Sequence, residues 1–279
     1  DLGRTTYLIS RPAWAAWPYG SLRTRGVSIL QRPANSRPPP EDYRNFMLAL
    51  EQNPLRLWEL TNTRFVVGTA KQLRPLLNNP AFEVIARFDL DSGRYREQRP
   101  PQGRFLLVRN NAALPRAQVY YAWDVVPPDT VLERLASPQW DPSTALVISA
   151  SEKAATRESL MPPTTGQILD YSPTRVTIEA NAQEDGILVL RDRYDPDWKV
   201  RVDGKPSEFV VVDYLMRGVR IPSGTSIVTM TYRPYLLYAL VSIGTCLVLM
   251  MWSLAALVRK RPGRAASGTE NILDQAHLH

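Results

Sequence analysis

The sequence predicts a mainly β protein with an α+β N-terminal part, built on an antiparallel β-sandwich or jelly roll and followed by one transmembrane α-helix. Three observations predict it. Proline supplies 24 of 279 residues, well above the usual ~5%, which favours strands and loops over helices. Between Gly166 and Tyr232, apolar and polar residues alternate in short runs divided by turn signals, the pattern of strands with one buried face. Tyr235 to Val258 then carries neither charge nor proline. As a helix it would be about 36 Å long, enough for a hydrocarbon core of ~30 Å.

Taken in order, residues 1–40 form an extended Pro/Arg-rich segment, with Pro38-Pro39-Pro40 as polyproline. Residues 41–115 form a small α+β unit. Tyr43, Phe46, Met47 and Leu50 share one helical face, and Pro54 breaks the helix before Leu55–Leu60 restarts it. Strands follow at Arg64–Gly68, Phe82–Phe88 and Phe105–Arg109, with a short helix over Lys71–Leu77 and a turn at Asp91-Ser92-Gly93.

Residues 116–234 form the sandwich. A strand runs from Ala117 to Val126, a helix from Asp129 to Leu135 capped by Asp129 or Thr130, and a strand from Ala145 to Ser149. Val176, Ile178 and Ala180 alternate with polar neighbours, as do Trp198, Val200 and Val202, and Val228, Met230 and Tyr232. Ile187-Leu-Val-Leu190 is apolar throughout, as for a strand buried on both faces. Asp203-Gly204 signals a hairpin leading into Phe209–Val212, and Pro222-Ser-Gly224 a second turn.

Residues 235–258 are the expected span, with Tyr232, Tyr235, Tyr238 and Trp252 as interfacial aromatics. Arg259, Lys260, Arg261 and Arg264 follow it and Arg233 alone stands just before it. The positive-inside rule then puts the 259–279 tail in the cytoplasm and the body outside it. A body of that size needs an upstream signal to cross, so a hydrophobic segment is expected before Asp1. Nucleic acid is therefore not an expected partner, although the net charge is +7. Arg4, Arg11, Arg23, Arg25, Arg32, Arg37 and Arg44 suit either anionic lipid head groups or a solvated surface.

The single cysteine excludes an internal disulfide or a cysteine zinc site. The only histidines, His277 and His279, lie at the C-terminus, which leaves the folded part without Ser-His-Asp or Cys-His chemistry. No cofactor is expected, since no glycine-rich phosphate loop is present.

Tyr194-Asp195-Pro196-Asp197-Trp198 sets two carboxylates and two aromatics on one turn. That combination suits sugar contact, the ring stacking on a sugar face and the carboxylates accepting its hydroxyls. The expected case is instead a proline turn with Trp198 as a core anchor, because Trp198 is in phase with Val200 and Val202. Two carboxylates fall short of the 6–8 oxygens calcium takes. Tyr214 and Arg217 lie nearby, on a loop between two strands. Arg217 could hold an acidic group such as a lipid phosphate, or pair with Asp213, the expected case.

At these residues a family resemblance enters. Asp185 to Tyr194, Pro196-Asp-Trp-Lys199, Val202-Asp-Gly-Lys205, Tyr214, Arg217-Gly-Val219, Pro222-Ser-Gly224 and Tyr232-Arg-Pro234 resemble the C-terminal region of YfhO-like bacterial membrane proteins. Leu60 to Val67 and Ala113-Leu-Pro-Arg116 resemble its extracytoplasmic region. Order and spacing match over roughly residues 43–258, most specifically at 185–234. Asp197 departs from the family, which usually has glycine before the tryptophan.

The resemblance implies a multi-spanning protein similar to the GT-C class, which moves sugar from a polyprenyl-phosphate carrier outside the cytoplasm. It implies a catalytic acid in an early loop, so no catalytic residue is carried onto this chain. The chain would be the C-terminal accessory part with the last span, in the bacterial cytoplasmic membrane. Its partners would be the lipid bilayer, upstream transmembrane segments of the same polypeptide, and a polyprenyl-linked sugar or envelope glycan. The alternative is a non-enzymatic, membrane-tethered β-sandwich that binds carbohydrate or a protein partner.

Overall fold

The computed structural model describes residues 4–7, 40–91, 94–152, 154–234 and 236–259. Of the 1–40 segment this leaves Arg4–Tyr7 and Pro40. The rest of that segment, the Ser92-Gly93 part of the expected turn and the tail beyond Arg259 lie outside the described residues. The chain divides into two compact units, Asp1–Arg233 and Pro234–His279.

The first unit opens with strand β1 (Arg4–Tyr7). Helix α1 (Glu41–Ala49) starts behind Pro40 and buries Phe46, followed by Leu50. Helix α2 (Pro54–Leu60) is capped by Asn53, whose side chain accepts from the Arg56 N–H at 3.2 Å. Pro54 takes the first helical position, where its missing donor costs nothing. After β2 (Thr63–Thr69), Thr69 and Gln72 form a capping box for α3 (Ala70–Leu73), which runs into a 3-10 turn over Arg74–Asn78. Then come β3 (Phe82–Asp91), β4 (Arg94–Gln98) and β5 (Phe105–Asn110). These five strands make one sheet in the order β1-β2-β5-β3-β4, parallel only at β1/β2.

The remaining strands build two further sheets. They are β6 (Ala117–Tyr120), β7 (Ala122–Val126), β8 (Ala145–Ser149) and β9 (Thr164–Thr165), with helix α4 (Val131–Ala136) between β7 and β8. Next are β10 (Gln167–Ser172), β11 (Arg175–Ala182) and β12 (Gly186–Arg193). Last are β13 (Trp198–Val202), β14 (Lys205–Ser207), β15 (Phe209–Val212), β16 (Met216–Ile221) and β17 (Gly224–Tyr232). One sheet runs β10-β11-β17-β13-β14 and is antiparallel; the other runs β7-β8-β15-β16-β12-β6-β9 and is parallel only at β7/β8.

The two sheets bury Val176, Ile178, Val228, Met230, Leu188, Leu190 and Val219 between them. The opposite face of the seven-stranded sheet, with Ile187, Val189, Ile148 and Val212, joins a second core with Val131 and Leu135 of α4 and Phe46, Leu50 and Leu106 of the N-terminal part. Thus β12 is buried on both faces, as its apolar run predicts. Asp203-Gly204 does form a hairpin, with both residues at positive φ (50° and 76°), the type I′ geometry such a pair favours. The hairpin pairs β13 with β14 rather than with Phe209–Val212, because the chain crosses after Ser207 to the other sheet.

The second unit contains α5 (Leu236–Arg259). Side chains are described for residues 241–255, and all are exposed around the helix, among them Val241, Val248, Met251 and Trp252. The hydroxyls of Thr245 and Ser253 donate back to the Val241 and Leu249 carbonyls at 2.8 Å. Among the described residues no helix is long and apolar enough to cross a membrane. Of the expected segment 235–258, residues 236–258 are present as a helix, while Tyr235 lies outside the described residues and the role as a span belongs to the proposal below.

Candidate functional site

The strands of the sandwich give it two rims. At one end of β17, Tyr232 pairs with Trp198, and at the other Gly224 pairs with Ala182. The residues singled out in the sequence gather at the Tyr232 end.

There β12 ends at Arg193 and the loop 194–197 leads into β13. Asp195 closes this loop locally: its carboxylate accepts from the Asp197 N–H at 3.0 Å and its carbonyl from the Trp198 N–H at 3.1 Å. Asp197 fastens the loop to the end of β17, its carbonyl accepting from the Arg233 N–H at 2.8 Å and its carboxylate from the Tyr232 hydroxyl at 3.4 Å. Trp198 is 8% exposed and belongs to the sandwich core, its ring centroid 5.6 Å from that of Tyr232. The Arg217 guanidinium covers the Trp198 ring at 3.8 Å, and Arg217 Nε donates to the Arg193 carbonyl at 3.0 Å. Tyr194 is half-buried and meets Phe209 edge-on at 5.7 Å. Burial raises the Tyr194 hydroxyl pKa, with Glu152 and Asp195 adding to it. Tyr232 is raised by desolvation first and then by Asp195 and Asp197.

This geometry corrects two expectations about Arg217. It lies within β16, not on a loop, and the ion pair of Asp213 is with Arg191. That pair is wholly buried, at 3.4 Å, and Asp213 also accepts from the Val147 N–H at 2.9 Å. Asp213 and Tyr214 are both at positive φ (48° and 73°) and make the β15–β16 hairpin, which sets Asp213 against Val147 of β8. Arg191 donates to the Tyr120 hydroxyl, which in turn reaches Gln118 Oε1 at 2.9 Å and the Pro142 carbonyl at 2.8 Å. Burial pushes the Tyr120 hydroxyl up to about 12 and raises the Asp213 carboxyl, with Arg191 opposing both shifts.

The buried cluster was not legible as a site in the sequence. Its only sequence signal was the interruption of the β12 apolar run by Arg191-Asp192-Arg193. Its members bind one another, with Arg191 Nε left without a hydrogen-bond partner among the described residues, and the arrangement fits a structural role. Asp192 binds Arg116 in a second buried pair at 3.0 Å, and Arg116 lies over the Tyr171 ring at 4.1 Å. Among the described residues no group of three or more His, Cys, Asp or Glu is placed to hold a metal.

Residues 162–244 match a family described as bacterial membrane protein YfhO. The resemblance is to YfhO. The match spans most of the sandwich from Pro162 and continues into the first turns of α5, so one YfhO pattern covers both the β strands and the start of the helix. A comparison with curated proteins found no match. Solved structures of the arabinofuranosyltransferase AftD from Mycobacteria align with 20% identity and a TM-score of 0.23. Two structures of a single AftD mutant align with 21% and 22% identity and TM-scores of 0.24 and 0.23. The alignments cover 27–28% of this chain and 6–7% of the AftD chains.

Proposed function

We propose that this chain is the extracytoplasmic C-terminal part and last span of a YfhO-like membrane protein, where it assists transfer of a sugar from a polyprenyl-phosphate carrier to a cell-envelope acceptor. The observation that carries the reading is the YfhO match over 162–244, which joins the sandwich to the start of α5. The helix supports it. Up to its terminal Arg259 it is apolar apart from scattered hydroxyls, and its side chains at 241–255 are exposed on every face. A helix apolar all round requires an apolar surrounding. The Thr245 and Ser253 hydroxyls bond within the helix, as a lipid environment demands. The basic cluster after it orients the body outward.

The sandwich would hold or present the acceptor and the transfer chemistry would belong to other parts of the protein. Orientation is tested in a Cys246→Ser background carrying Glu208→Cys or Glu270→Cys, with an impermeant maleimide on intact cells. Label at 208 and not at 270 is expected; the reverse pattern defeats the topology. For the chemistry, this chain alone should move no sugar from a polyprenyl-phosphate donor. Transfer by the chain alone would overturn the accessory role.

A further inference from the structure

The opposite rim, at the Gly224 end of β17, holds a cleft of about 410 Å³. Its floor is Gly186, Ile221, Pro222 and the edge of Trp123, and its polar wall is Arg157, Asp185 and Arg220. Gly186 lets β12 pack closely against β6 and the turn that follows it. A Cβ there would stand 2.8 Å from the Tyr120 carbonyl and 3.0 Å from the Tyr121 ring.

The polar wall divides into committed and open groups. Arg157 is committed. It pairs with Glu184 at 3.1 Å, donates to the Asp185 carbonyl at 2.6 Å, and lies over the Trp123 ring at 5.3 Å. One oxygen of Asp185 accepts from the Ser223 N–H at 2.9 Å, which aims the carboxylate without filling its acceptor capacity. Arg220 is exposed, and among the described residues no hydrogen bond or ion pair engages its guanidinium. With the Arg157 charge countered by Glu184, the open groups of the cleft are a fork of N–H donors on Arg220 and the carboxylate of Asp185, one positive and one negative charge.

That balance selects the ligand. A phosphate or carboxylate would face Asp185 as well as Arg220. A divalent cation would find one carboxylate and a repelling guanidinium. A wholly apolar ligand would strip water from both charges and return no hydrogen bonds. A neutral polyol satisfies donor and acceptor together and lays its C–H face on the exposed Pro222. The volume falls within the ~300–1,000 Å³ of small-molecule sites.

We infer that this cleft binds a sugar unit of a neutral glycan, held between Asp185 and Arg220. The inference rests on the proposed envelope-glycan role and names the place and charge class of that glycan.

The test uses the full chain in detergent, titrated calorimetrically with neutral tetrasaccharides of glucose, mannose, galactose and arabinose, and with inorganic phosphate. At least one tetrasaccharide should bind, and Arg220→Ala and Asp185→Asn should each weaken it about tenfold or more, as for loss of a charged hydrogen bond. The amide oxygen introduced by Asp185→Asn can still accept from the Ser223 N–H, so the fold is retained. The inference is overturned by binding that survives both substitutions, by binding of phosphate alone, or by no sugar binding up to about 10 mM. If the cleft binds sugar but Arg220→Ala in the longer protein leaves envelope glycosylation intact, the cleft assignment stands and the transfer role falls.

Discussion

The two rims of the sandwich are made of the same kinds of residue and use them in opposite ways. At the Tyr232 rim, Asp195 and Asp197 bind backbone and tyrosine groups of their own loop and of β17, and Arg217 covers the face of Trp198. At the Gly224 rim, Asp185 has acceptor capacity left and Arg220 has no partner among the described residues. Carboxylate, guanidinium and tryptophan occur together at both. The difference lies in whether the strands bring these groups onto one another or hold them apart around a cleft. A cluster of sugar-binding residue types in sequence is thus equally the signature of a well-fastened turn.

The largest expected effect tests the first half of that contrast. Trp198→Ala removes a core ring and the surface on which Arg217 lies, and should destabilise the first unit by about 3–5 kcal/mol in thermal or denaturant unfolding. Undiminished stability would reopen the Tyr232 rim as a ligand platform.

Next comes the buried cluster. The folded-state pKa of Tyr120, about 12, lies above the ordinary tyrosine value of 10.0. Its contribution is therefore fully present below pH 10 and is lost as pH rises through about 12. A shift of this size corresponds to roughly 2–3 kcal/mol. Tyr120→Phe should flatten the loss of stability across that alkaline window, measured by urea unfolding at stepped pH.

Smaller again is Asp197→Ala, which forfeits one long hydrogen bond from Tyr232 and should cost about 0.5–1 kcal/mol. The Tyr232 hydroxyl should also titrate at lower pH, since a negative neighbour has gone; ultraviolet titration reads this. Smallest is Arg220→Ala, whose guanidinium holds nothing among the described residues. Melting should move by less than about 0.5 kcal/mol equivalent. A larger loss would show that Arg220 serves the structure, and the contrast between the rims would fail.

The strands with one wet face were readable because period-two alternation records burial directly. Val176, Ile178 and Ala180 are all buried as the pattern requires. β4 was invisible for the converse reason: Arg94-Tyr-Arg-Glu-Gln98 is an edge strand with little apolar content. The strand expected over Ala117–Val126 divides at Tyr121 into β6 and β7, a break that no glycine or proline announces. The Asp203-Gly204 turn was legible and the Asp213-Tyr214 turn was not, since tyrosine is an unusual occupant of positive φ. Of the site, sequence could name charged and aromatic candidates but not their partners. The Arg191–Asp213 pair joins residues far apart in the chain, and the cleft collects Trp123, Arg157, Asp185 and Arg220 from four separated stretches. Such meetings follow from strand order, and local pattern does not encode strand order.

The double burial of β12 has a mechanical consequence. A strand that serves as the party wall of two cores ties their fates together: pulling it loose exposes both at once. Neither half of the body should then melt ahead of the other, and a cut inside this strand should dismantle the whole first unit.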